Sequence, residues 1–378
     1  MRRRSTDLEA LTMHVFPRWA AAAAVVFLFS PAATATAAPP RPGLNSAYLG
    51  DWGRGGYVHD ANDRGDVVGA LNDENVNPQP VLWPRNGAPV RIDVDRGSPA
   101  AVNNRGDVVG DNWLWSDGRV RTLADPSRQM RSVDINDQRQ ATGTIDPDSS
   151  GVAQMFLWQD GGFTTFSPPA GMRGYPLGIN NRGQVLGYLT DASWSVRHGF
   201  VWHAGRMTIL KPLGGTVLDP RAINDRGEVV GYSTVAGSEV RHAFLWQAGR
   251  MRDLMAGHPT ESGLAWDVNN AGEVVGNIGF KAVLWRDGNV VDLAVPGLYT
   301  YAREINERGD VAGWATFPDP ARNRVFRWRD GRVLFSEDYS TEMGLEVSGI
   351  DDRGRVVGLI DDLVVPPRPV RWVAGPSA

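Results

Sequence analysis

The ten-residue unit Ala222–Gly231, AINDRGEVVG, constrains this chain more than any other feature, because it recurs eight times with light editing. The copies read DANDRGDVVG from Asp60, AVNNRGDVVG from Ala101, DINDQRQATG from Asp134 and GINNRGQVLG from Gly178. After Ala222 come DVNNAGEVVG from Asp267, EINERGDVAG from Glu304 and GIDDRGRVVG from Gly349. Self-similarity at a fixed period decides architecture before any single residue is read. The unit itself has the chemistry of a tight β-hairpin. Ile223 ends one strand, Val229 and Val230 lie in the next, and Asn224-Asp225-Arg226-Gly227 connect them. The first Asn can bond its side chain to backbone two residues on, and the Gly supplies a left-handed residue that closes a type I turn with a bulge. Seven copies keep that Gly; the third has Arg139, and an L-residue there predicts a looser or differently shaped turn. The oxygen-rich N-D-x-G-D run is not an EF-hand loop, since alternating carboxylates and a distant helical Glu are missing.

Measured at the Asn or Asp that opens the turn, successive copies lie 41, 33, 44, 44, 45, 37 and 45 residues apart. Each copy also carries an apolar run ending in Trp, at Trp83, Trp115, Trp158, Trp202, Trp246, Trp285, Trp328 and Trp372. Most are followed by D-G or A-G, a second hairpin signal, and then by a further apolar segment. Four short strands in about 40–45 residues is the period of a β-propeller blade. A parallel solenoid is disfavoured, because tight hairpins require antiparallel pairing. The expectation is an all-β, eight-bladed β-propeller of four-stranded antiparallel blades. The chain stops soon after Trp372, leaving the eighth copy one strand short, and Ala47–Trp52 precedes the first copy. That N-terminal strand is expected to complete the last blade and close the ring.

Residues 1–37 read as a secretory signal peptide. Arg2-Arg3-Arg4 and Arg18 precede the apolar run Trp19–Phe29, which leads to an A-x-A site. That run is too short to span a bilayer. Residues 38–378 then form a single propeller domain, with secretion to the extracellular space and no membrane association after cleavage. Without the leader 35 basic and 41 acidic residues remain, and of all basic residues only Lys211 and Lys281 are lysines. A net charge of −4 for the whole chain argues against a nucleic-acid partner, which needs a basic surface. Cysteine is absent, so disulfides and thiolate metal sites are excluded.

Two copies place RHAFLW (Arg241–Trp246) and RHGFVW (Arg197–Trp202) after the I-N-x-x-G-x-V-x-G unit. Together these motifs resemble the HAF family of probable extracellular repeat proteins of bacteria. The resemblance covers essentially the whole mature chain, although only two of eight copies keep the His. It implies export and a repeat architecture, and supplies no catalytic residue.

If the strand before each turn is innermost, both tight turns of every blade share one face of the disc. The variable connections then collect on the other, which is where function is usually carried. Four residues before each turn-preceding apolar position stand Tyr57, Ser98, Arg131, Tyr175, Asp219, Leu264, Tyr301 and Glu346, at the loop-face mouth of the channel. Two before it stand His59, Arg221, Trp266 and Arg303, deeper in. Tyr57, Arg131, Tyr175, Asp219, Trp266, Tyr301, Arg303 and Glu346 are the candidate ligand-binding residues. The competing reading is that each packs between neighbouring blades. The eight motif Trp side chains are assigned to blade packing. Trp194, in a loop, is a candidate for stacking on a sugar, and His198 and His242 read as structural for want of a motif carboxylate. No G-x-S-x-G, H-E-x-x-H or phosphate loop is present. The function expected is non-enzymatic binding of an extracellular glycan or protein by a monomer without cofactor or metal. The alternative is a polysaccharide hydrolase or lyase with paired carboxylates in the channel.

Overall fold

The computed structural model describes residues 43–50, 55–94, 97–124, 129–145, 153–362 and 365–375. The signal-peptide segment lies outside the described residues. Among the described residues everything regular is β-strand: within each repeat successive strands pair antiparallel, from Gly56–Ala61 in blade 1 to Arg368–Ala374 in blade 8, and blades 4 and 5 are joined by one parallel bridge. The innermost strands are Gly56–Ala61, Pro99–Val102, Met130–Ile135, Arg173–Ile179, Gly214–Ile223, Gly263–Val268, Tyr299–Ile305 and Gly344–Ile350, each running into its Asn or Asp turn. Leu44–Tyr48 pairs antiparallel with Arg368–Ala374, with Ser46 opposite Trp372, and so supplies the fourth strand of blade 8. The closing strand thus begins three residues earlier than Ala47–Trp52, because Leu44 is the apolar residue that reaches the core (0% exposed). Blade 8 meets blade 1 through main chain and Arg side chains: Asp352 N donates to Asp63 O (2.9 Å) and Arg371 Nη2 to Gly65 O (3.0 Å). The chain is an eight-bladed propeller closed by its N-terminal strand.

Packing follows the repeat. The motif Trp side chains are buried between blades in seven copies; in blade 2, the shortest, Trp115 is half-buried and Trp113 fills the space instead. The D-G and A-G turns after these Trp residues hold both residues at positive φ, as at Asp287 (51°) and Gly288 (79°). This is the type I′ geometry that suits the twist of a hairpin.

One device repeats in all eight blades. The innermost strand carries a one-residue bulge two positions before the apolar residue that precedes the turn, at His59, Ala100, Val133, Leu177, Arg221, Trp266, Arg303 and Ser348. A bulge leaves an extra residue unpaired and re-aims its side chain. It also explains the Gly that ends the motif. A β-carbon on Gly231, Gly276, Gly313 or Gly358 would collide with the carbonyl of Asp219, Leu264, Tyr301 or Glu346 respectively, the mouth residue of the same blade. Only a hydrogen side chain admits that approach.

The third turn corrects the sequence expectation. Arg139 has φ of 60°, and its N–H donates to Asn136 O at 3.0 Å, as Gly227 N does to Asn224 O in the fifth copy. The turn is therefore the same shape. An L-residue is accommodated because the Arg139 side chain reaches back one blade to Asp107, with Nε–Oδ2 at 2.8 Å, and to Ser116 Oγ at 2.8 Å. The ion pair offsets the left-handed strain.

Candidate functional site

The two mouths of the channel are built differently. At the turn face the Asn side chains form a chain of bonds that runs from blade 1 to blade 8. Asn62, Asn103, Asn136, Asn180, Asn224, Asn269 and Asn306 each donate Nδ2 to the main-chain oxygen of the equivalent residue in the next blade, at 2.7–3.1 Å. The same nitrogen donates to an acid or amide four residues on, as in Asn224 to Glu228 (2.7 Å) and Asn180 to Gln184 (2.7 Å). The Oδ1 accepts two turn amides, Arg226 N and Glu228 N at 3.0 Å in the fifth copy. Blade 8 inverts the pair: Asp351 replaces Asn and Arg355 replaces the acid, and the two bond each other. The acidic residues Asp60, Asp134 and Asp267 accept the amides of Val102, Ile179 and Ile305 in the following blade.

The next turn position forms a second ring with the order Asp63, Asn104, Asp137, Asn181, Asp225, Asn270, Glu307, Asp352. Asn between carboxylates bridges its neighbours, as Asn181 does to Asp225 (3.1 Å) and Asp137 (3.3 Å). All of these residues but Asp352 line a cavity of ≈ 230 Å³ at the turn-face mouth. Burial pushes the Glu307 carboxyl up to about 7; the Asn270 amide opposes this, while Asp63, Asp352 and Asp225 add to it. Asp63 is raised for the same first reason. Most polar groups of this mouth bond one another, but Asp352 Oδ1 is buried with no hydrogen-bond partner among the described residues. Among the described residues no group of three or more His, Asp or Glu could hold a metal ion.

At the loop face the mouth residues of blades 4 to 7 join into an arc of aromatic rings and guanidiniums. Tyr175 stacks on Tyr188, its partner across the strand pair (5.0 Å, 22°), and on Trp194 in the loop beyond (5.5 Å, 28°). Arg197 lies over Tyr188 at 4.3 Å and pairs with Asp219 of blade 5 at 2.8 Å. One parallel bridge, Arg197 to Val217, ties the two blades at this point. Asp219 also holds Arg221 (3.0 Å). Trp266 is flanked by two guanidiniums, Arg221 at 4.8 Å and Arg303 at 3.8 Å, and donates Nε1 to Asn277 Oδ1 (3.1 Å). Arg303 continues to Trp314 at 5.7 Å, which packs on Tyr301 at 5.3 Å. Burial lowers Arg303 to about 10, against the attraction of Glu304 and Glu346, and still leaves it charged at neutral pH. Glu346 is raised by burial, with Arg303 opposing.

Of the eight candidates, the structure thus gathers Tyr175, Asp219, Trp266, Tyr301, Arg303 and Glu346 on consecutive blades 4 to 8. Tyr57 (42% exposed) in blade 1 and Arg131 in blade 3 are exposed and stand apart from that arc. Sequence reasoning missed Tyr188, Tyr232 and Trp314, which belong to second strands. A signal existed: each follows the Gly that ends the motif, and that position is opposite the mouth residue in register. Tyr175 and Tyr301 therefore serve cross-strand packing within their own blades, not packing between neighbouring blades. His242 is structural, 4% exposed with Nδ1 2.8 Å from Asp253.

Trp194 stands on a loop of its own design. It is 49% exposed at φ of 60°, a conformation costing an L-residue roughly 1–2 kcal/mol. Asp191 fixes the loop by accepting from Ser193 Oγ, from Ser195 Oγ at 2.8 Å and from Val196 N at 3.2 Å, and its carboxyl is held down at about 2. Blade 1 uses a similar closure at Asp73, with Val76 at φ of 63°, but among the described residues no aromatic stack lies beneath it.

Topology and site define a propeller-repeat protein. Among solved structures the chain is similar to the β-propeller domain of the Trilobed protease from Pyrococcus furiosus, at 12% identity and TM-score 0.47, covering 85% of this chain and 97% of that one. It is also similar to the acylaminoacyl peptidase of Pyrococcus horikoshii (13%, TM-score 0.48), covering 81% of this chain but 57% of that one. A third is the Aleuria aurantia lectin in complex with α-methyl-L-fucoside (9%, TM-score 0.34; 79% and 96% covered). No protein-family model matches the chain, and no curated protein matches it.

Proposed function

We propose that this is an exported, non-enzymatic binding module that takes an extracellular glycan on the loop face, over the arc of blades 4 to 7. The observation that carries the reading is the continuous series Trp194, Tyr175, Tyr188, Arg197, Asp219, Arg221, Trp266, Arg303, Trp314. Rigid aromatic faces with a few fixed polar groups bind at low entropic cost. Export is supported by the leader pattern in residues 1–37 and by the HAF resemblance of the two R-H-x-F motifs. Within the arc, Asp219 is held by both Arg197 and Arg221, which favours a binding role for it over that of a hydrolase carboxylate. A glycan and protein array probed with the purified mature chain, beside a reducing-end assay on polysaccharides, tests the proposal. Binding without release of reducing ends is the expected result. Catalytic release, or protein ligands alone, would overturn it.

A further inference from the structure

We infer that the Trp194 loop is a subsite that stacks one pyranose ring of a neutral oligosaccharide, at the outer end of the arc. The inference rests on the glycan reading above and deepens it by naming the ring-stacking residue and the chemical class of its ligand. Four observations converge. First, the indole is large, apolar and half exposed where an ordinary loop residue would be small and polar. Second, its inner neighbour is an aromatic stack two rings deep, Tyr175 and then Tyr188. That stack is pinned by Arg197 to Asp219 of the next blade, so the platform does not give when loaded. Third, the loop is locked by the Asp191 carboxylate, so little freedom remains to be lost on binding.

The fourth observation selects the ligand. The loop rim that carries the indole is hydroxyl and carboxylate: Ser193 and Ser195 flank Trp194 in the chain and both bond Asp191. A pyranose has one face of C–H groups, which suits the electron-rich indole, and an equatorial belt of hydroxyls, which suits that rim. A nucleic acid would meet Asp191, a carboxylate fully ionised at neutral pH, beside the stacking ring.

The test titrates chitotetraose, cellotetraose and xylotetraose into the mature protein, reading tryptophan fluorescence and calorimetry, with wild type, Trp194→Phe, Trp194→Ala and Tyr301→Ala. At least one tetrasaccharide is expected to bind, Trp194→Ala to weaken it at least tenfold, and Trp194→Phe to stay within about threefold. The melting temperature of Trp194→Ala should change little, since the side chain is half exposed and Ala at the same positive φ carries the same strain. Unchanged affinity in Trp194→Ala, with loss in Tyr301→Ala, would overturn the subsite and leave the loop-face function standing. Failure of all three sugars at millimolar concentration would overturn the neutral-saccharide assignment, and array binding of other glycans would then decide the function separately. A fold change in Trp194→Ala accompanied by an equal loss in Trp194→Phe would also overturn it, since stacking needs only an aromatic face.

Discussion

The turn face and the loop face sit on the same eight strands, yet one is regular and the other is not. On the turn face, blade after blade repeats one side-chain pattern, and each Asn bonds the next blade. On the loop face the equivalent positions hold Tyr, Arg, Asp, Leu and Glu, and only blades 4 to 7 join into an arc. The contrast teaches that ring closure and recognition are assigned to opposite ends of the innermost strands. A repeated polar turn gives each blade one interface that fits any neighbour. The bulge midway along the strand separates that constraint from the residues above it, which are then free to vary.

Substitutions can break this division, and the largest effect should come from the link between the faces. Gly231→Ala puts a β-carbon into the Asp219 carbonyl and should cost about 3 kcal/mol, read as a lower denaturation midpoint and weaker ligand binding together. An unaffected midpoint would show that the bulge relaxes and does not dictate the mouth. Asn224→Ala removes two acceptor and two donor bonds and leaves one oxygen of the buried Glu228 carboxylate without the Asn donor, the other still paired with Arg226. A loss of about 2 kcal/mol is expected, with glycan affinity unchanged in the folded fraction. Loss of affinity as well would mean that the faces are not independent.

Arg139→Gly relieves a left-handed residue but removes the pair with Asp107, whose side chain is 3% exposed. Burial alone would raise Asp107; the Arg139, Ser116 and Asn103 bonds outweigh it and leave the carboxyl below its ordinary range. The net should be a destabilisation of about 1 kcal/mol, after discounting for the partly exposed Arg. A carboxyl lowered in the folded state stabilises above its unfolded pKa and ceases to do so as pH falls through the folded one. The difference between variant and wild type should therefore shrink in acid and persist at pH 7. Equal stability at both values would assign the turn entirely to its backbone.

The smallest effect is a slope. Glu307, raised to about 7, holds its proton in the folded state where the unfolded chain has released it. Folding stability should thus decline as pH rises from about 4.5 to 7, and Glu307→Gln should flatten that decline in paired melts. An identical slope in both proteins would remove the carboxylate ring from the account.

How much of this was legible in the sequence differs by feature. The eight copies, their spacing and their turn residues determined the propeller, its closure by an N-terminal strand and the existence of two unlike faces, while that strand's bounds, Leu44–Tyr48, were set by where Leu44 meets the core. Such patterns are local: Asn at the turn start and Gly three residues on act through bonds within five residues. The complementary exchange of Asn and acid for Asp351 and Arg355 was also in plain view, though its meaning needs the neighbouring blade. The tertiary structure alone decided the rest. The bulges are not written in any one residue type, since His, Ala, Leu, Arg, Trp and Ser all occupy them; they follow from how the strand pair closes around a turn of fixed shape. Arg139 keeping the common turn depended on Asp107, thirty-two residues earlier in the chain. The arc likewise depended on which blades are neighbours, because Tyr188, Arg197, Asp219, Trp266 and Arg303 lie in four different blades and meet only when the ring places their edges side by side.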